Sequence, residues 1–207
     1  MDPTPRLVPV RELRSPEAVV LVLHGGASRG HRVPVDARQL SVLRMIPTAR
    51  AVAGASRRLS VHRLINSYRG WDESHSPLQD TAWALDRLRA RHPGVPIGLV
   101  GHSLGGRTAL LAGAAPDVRS VVALNPWVYP TDAADLTGRR VLIVHGTADR
   151  VASLEKARTV ARSLSRTADV DFVEIVGGKH AMLSHGREYD RRAAEFTAAT
   201  LLSEVGP

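Results

Sequence analysis

The chain has 207 residues, 43% hydrophobic and 23% charged, with no cysteine, so it can bury a full core but has no disulfide framework, thiolate metal site or thiol nucleophile. Its formal charge of +8 comes from 28 basic residues, all but two of them arginine, scattered along the chain among few aromatics (4%). Scattered charge with few rings to stack on bases reads as a solvated surface, so no nucleic-acid partner is expected.

Residues 1–15, broken by Pro3, Pro5 and Pro9, read as extended or poorly ordered, with a short edge strand over 7–13. No run approaches the roughly 18 apolar residues of a membrane span, and none resembles a signal peptide. The expectation is a cytoplasmic protein without a membrane partner. Residues 18–23, Ala-Val-Val-Leu-Val-Leu, form a continuous apolar run suited to a strand buried on both faces, and it stops at His24-Gly25-Gly26. A helix follows over 36–56, carrying Leu40, Leu43, Ala51 and Val52 near helical spacing, with a kink at Pro47. Next come a strand over 59–66, a turn-rich stretch over 67–76 and a helix opened by Pro77 and closed by Pro93-Gly94. The remainder reads as strands over 97–100, 118–124, 141–145 and 170–176, with helices over 107–115, 153–165 and 187–203. Residues 125–138 are irregular, with at most one turn at 131–136. Alternation of this kind implies an α/β fold, a doubly wound, mostly parallel sheet with helices on both faces. No linker or repeat divides the chain, so residues 1–207 read as one domain.

Ligands of such sheets sit beyond the carboxyl ends of the strands. There the sequence places Gly101-His102-Ser103-Leu104-Gly105, a G-x-S-x-G turn between a strand and a helix. A serine thrust out of so sharp a turn needs neighbours without bulk, supplied by Gly101 and Gly105. The turn also aims the Leu104 N–H, at the positive end of the new helix, toward a forming oxyanion. Two other strand ends carry His145-Gly146-Thr147-Ala148-Asp149 and Gly177-Gly178-Lys179-His180. A nucleophile, an acid and a base therefore occur in the order Ser103, Asp149, His180.

With these motifs in this order the chain resembles the α/β-hydrolase family, near its small dienelactone-hydrolase-like and short-esterase members. The resemblance covers nearly the whole chain from Ala18. It implies Ser103 as nucleophile, His180 as general base and Asp149 as the residue that orients the imidazole. It also implies an oxyanion hole made by the backbone N–H groups of Gly26 and Leu104. His185 shares the loop of His180 and is the rival base, but His180 directly follows the Gly-Gly turn. His24 and His145 read as structural. Asp72, Asp132 and Asp135 lie on loops near the site but follow no strand as directly as Asp149, and Asp169 and Asp171 lie at the wrong end of the sheet. Trp71 (in Tyr68-Arg69-Gly70-Trp71), His102, Trp127 and Met182 are candidates to line a substrate pocket. The segment 125–140 is too short for a cap domain, which implies an open site and small acyl groups of about two to six carbons, without activation at a lipid interface. Neither a metal nor a cofactor is expected, since oxygen-ligand clusters and a lysine-bearing phosphate loop are missing. The implied activity is hydrolysis of carboxylic esters through an acyl-enzyme. The alternatives are a thioesterase acting on coenzyme A or carrier-bound acyl groups, and a non-catalytic binding module built on the same fold.

Overall fold

A computed structural model describes residues 3–26 and 32–203. Its strands are β1 (Arg6–Arg11), β2 (Ala18–Leu23), β3 (Leu59–Ile65), β4 (Ile97–His102), β5 (Val118–Leu124), β6 (Arg140–Gly146) and β7 (Asp169–Ile175). They form one seven-stranded sheet in the order β1-β3-β2-β4-β5-β6-β7. Only β1 runs antiparallel, along β3, and its register shifts between Pro9 and Arg11, where a proline without an N–H interrupts the ladder. Every other pairing is parallel.

Strand side chains alternate between two cores. From β2, Val19, Leu21 and Leu23 enter one core, while Ala18, Val20 and Val22 enter the other. The first core is closed by α3 (Ser76–Arg91), α4 (Leu104–Ala112) and α5 (Leu154–Leu164), through residues such as Leu85, Leu88, Leu110 and Val160. The second is closed by α2 (Met45–Ala55) and α6 (Gly186–Leu202), through Met45, Val52, Tyr189 and Ala193. All six β2 residues are buried, which explains why that strand lacks a polar alternation.

Two expectations are corrected. Residues 36–56 hold two helices, the short α1 (Leu40–Leu43) and α2, with the break at Arg44. Pro47 offers no N–H to the Leu43 carbonyl four residues back, so the interruption expected from it takes the form of this break. The single turn allowed near 131–136 is found at 130–131, closed by the Asp132 N–H on the Tyr129 carbonyl at 3.0 Å. Finally, β4 runs on to His102 and α4 starts at Leu104, so Ser103 alone makes the change of direction.

Candidate active site

Ser103 sits between β4 and α4 with φ 56 and ψ −120, a left-handed conformation costly for a side chain larger than glycine. The surrounding packing enforces it. A Cβ on Gly101 would strike the Gly105 carbonyl, and one on Gly105 would strike the carbonyls of Leu23 and His24. The close approach of α4 to the ends of β2 and β4 therefore depends on both glycines.

Three side chains meet at this point. The Nε2 of His180 lies 3.0 Å from Ser103 Oγ, and its Nδ1 lies 2.7 Å from Asp149 Oδ2. Asp149 Oδ1 accepts the N–H groups of Val151 and Ala152 at 2.7 and 2.9 Å. Burial pushes the Asp149 carboxyl up, but these hydrogen bonds and the one from His180 outweigh it and hold the group below its ordinary value. An ionised Asp149 selects the Nδ1–H tautomer of His180 and leaves Nε2 free to accept the serine proton. The His185 ring bonds only Ser184 among the described residues, its Nδ1 lying 3.1 Å from that hydroxyl.

The loop of His180 is fixed from below. His102 donates from Nε2 to the His180 carbonyl at 2.8 Å. Asn125, fully buried at the end of β5 with φ 42, donates to the carbonyls of Lys179 (3.2 Å) and His180 (3.1 Å). Its Oδ1 accepts from the Gly146 N–H at 2.8 Å and the Tyr189 hydroxyl at 3.1 Å. One amide thus joins the acid-bearing and base-bearing loops. Burial pushes the His102 imidazole down to about 3, so it stays neutral. His24 is likewise pushed down to about 4 by burial; it donates to the Gly25 carbonyl at 2.6 Å and accepts from the Asn66 N–H at 3.1 Å. His145 donates to the Ala152 carbonyl at 3.2 Å, which steadies the acid loop.

The rival carboxylates are occupied elsewhere. Asp72 accepts from the Ser76 N–H, Asp135 from Thr137, and Asp169 and Asp171 face Arg140 at the far end of the sheet. Asp132 forms a buried pair with Arg107 at 2.7 Å. The Arg107 guanidinium lies 4.0 Å from the centre of the Trp71 ring and 4.9 Å from that of Tyr129, so this one side chain ties α4 to two loops. Among the described residues, no group of three or more His, Asp or Glu side chains is placed to hold a metal ion.

A cavity of about 580 Å³ opens on Ser103. His102 and Trp127 line it, as do Gly26 and Leu104, whose N–H groups are the expected oxyanion donors. Leu104 opens α4, so its N–H has no partner within the helix. Gly26 is pressed against the Arg69 carbonyl so closely that a Cβ would overlap it. Trp71 and Met182 do not line the cavity: Trp71 is stacked under Arg107, and Met182 is fully buried, its carbonyl accepting from Arg44 at 2.7 Å. The apolar wall comes instead from Leu40, Leu43, Pro47, Val151 and Leu183. No cap interrupts residues 125–139, which cross from β5 to β6 as an irregular loop, so the wall is built by the segment after β2 and the loops around Asp149 and His180.

Residues 18–168 match the sequence model of the alpha/beta hydrolase fold. The chain belongs to the α/β-hydrolase fold family. Monoglyceride lipase of Homo sapiens is 27% identical over 100 residues, which cover 48% of this chain and 31% of that protein. The match thus spans about a third of the length of this curated relative. A serine hydrolase without a lid from Xanthomonas campestris superposes with a TM-score of 0.66 at 15% identity, over 98% of this chain and 90% of that one. Dienelactone hydrolase from Anabaena variabilis does so with a TM-score of 0.67 at 16% identity, over 97% and 99%. At such identities the likeness is one of fold. Small and lidless members of the α/β-hydrolase family are therefore among the structural neighbours of this chain.

Proposed function

We propose that the chain is a serine hydrolase that cleaves carboxylic esters through an acyl-enzyme. The observation that carries the reading is the continuous contact of Ser103, His180 and Asp149 at 3.0 and 2.7 Å, with the serine held in a strained turn. His180 Nε2 takes the hydroxyl proton as Oγ attacks the ester carbonyl, and Asp149 stabilises the imidazolium. The N–H groups of Leu104 and Gly26 receive the oxyanion, His180 returns the proton to the leaving alcohol, and water reverses the sequence. A buried, neutral His102 beside the base avoids a second positive charge next to that imidazolium.

The cavity supports a longer acyl group than the sequence-based expectation. Its volume of about 580 Å³ lies within the roughly 300–1,000 Å³ of sites that bury drug-sized ligands. With Leu40, Leu43, Pro47, Val151 and Leu183 on its wall, it has room for a longer apolar acyl group than the two to six carbons expected of an uncapped site. The test uses a fluorophosphonate probe together with oxygen and thio esters of matched acyl length. The probe should label Ser103, and Ser103→Ala should abolish labelling and lower turnover by about 10⁶-fold. Labelling that persists at another serine rejects the nucleophile. A large preference for thioesters moves the assignment to a thioesterase, and no turnover on either series favours a binding module.

A further inference from the structure

Seven large apolar side chains are exposed among the described residues, and four of them line one cavity, the one that opens on Ser103. They are Leu40 (84% exposed), Leu43 (42%), Val151 (62%) and Leu183 (79%). They come from three separate segments: α1, the loop after Asp149 and the loop after His180. Packing does not require them, since α1 buries only Val42. Aliphatic groups left in water at three converging points mark a surface that is covered in use.

Charge identifies the cover. Arg38, Arg150 and Lys179 are exposed and lie within two residues of Leu40, Val151 and His180 along the chain, and none forms an ion pair among the described residues. The first segment also carries an exposed acid, Asp36, which accepts the Arg38 backbone N–H at 2.8 Å and keeps its charge, and Asp149 is engaged by His180, so the three cations leave these segments net positive. An apolar ring flanked by unpaired cations matches an anionic lipid surface, whose phosphates meet the cations while the leucines enter the acyl layer. A second copy of this chain would bring like charges together, and an acidic carrier protein would be recognised by the cations without exposed leucines.

Resting on the ester-hydrolase reading, we infer that the rim of Leu40, Leu43, Val151 and Leu183 docks on an anionic lipid surface, from which a lipid ester enters the cavity. This departs from the sequence-based expectation of no membrane partner and no effect of a lipid interface. The test measures co-sedimentation of the Ser103→Ala protein with vesicles of phosphatidylcholine alone or mixed equally with phosphatidylglycerol. Binding is expected to the mixed vesicles, weakened by salt and reduced at least about tenfold by Leu40→Ser with Leu183→Ser. Both side chains are exposed, so the double variant should melt at the parent temperature. Equal binding by a folded double variant, or a parent that stays in the supernatant at every lipid concentration, overturns the proposal. Probe labelling of the wild type is read separately, so failure to dock leaves the Ser103 assignment standing, and failure to label leaves docking intact.

Discussion

Substituting Asn125 separates the positioning of the base from its chemistry. Asn125→Ala would leave the Gly146 N–H and the Tyr189 hydroxyl without their acceptor, at about 1–3 kcal/mol each, and place alanine at φ 42, at about 1–2 kcal/mol more. The total of about 3–8 kcal/mol approaches the whole stability margin of a domain of this kind, so this variant should fold poorly. Asn125→Asp is the informative change. It tolerates the same backbone and keeps the acceptor, but it loses the amide that holds the Lys179 and His180 carbonyls. His102 still donates to the His180 carbonyl, so the loop relaxes rather than detaches. A displacement of the imidazole by a fraction of an ångström should lower kcat about tenfold to a hundredfold with little change in KM. Urea melts and steady-state kinetics on a soluble ester, run on the same preparation, supply both numbers. A variant that loses stability yet keeps full kcat would show that Asn125 supports the fold without aiming the base, and would refute this reasoning.

His180→Ala should be nearly as damaging to turnover as loss of the serine, while His185→Ala should cost little; steady-state kinetics on both variants checks this, and an essential His185 would contradict the observed contacts. Asp149→Asn should preserve the fold by circular dichroism and lose activity by about 10⁴-fold, because an amide at this position favours the wrong imidazole tautomer. Stability should fall as the medium is acidified from about pH 7.5 to about pH 5. The buried His24 and His102 titrate near 4 and 3 in the folded chain, while unfolded histidine titrates near 6.5, so across this window the unfolded chain binds more protons. Each group then costs about 2 kcal/mol at pH 5, and a melting temperature flat across the range would show that these rings are not buried neutral.

The fold was largely legible because each strand announces itself in a different way. The unbroken run Ala18–Leu23 reflects burial on both faces, and Gly, Pro or His-Gly closes most of the others. What failed was detail set by tertiary contacts. The break between α1 and α2 falls at Arg44, one turn before Pro47, and the Arg44 guanidinium reaches the Met182 carbonyl, a partner 138 residues away that local periodicity cannot register. Proline at position 47 signals an interruption one turn earlier, but not whether it bends one helix or divides it into two.

At the site, legibility followed the backbone. Ser103, Asp149 and His180 each follow the end of a strand, where the chain direction dictates which end of the sheet a residue occupies. Trp71 and Met182 also lie on loops at that end, but a loop residue can face the cavity or the core, and nothing in local sequence chooses between them. Arg107 draws Trp71 away from the cavity, and a positive φ of 55 at Met182 accompanies a side chain buried in the core. Asn125 did carry a signal, since asparagine at the end of an apolar strand is one of the few side chains that tolerates a left-handed turn. The rim carried none: Leu40 and Leu43 stand at helical spacing and read as one buried face, whereas α1 turns Val42 inward and leaves both leucines at the mouth of the cavity. Apolar spacing identifies a face that avoids water. Whether the protein's own core or a lipid surface covers that face depends on what the fold places opposite it, and here the fold places the opening to Ser103 beside it.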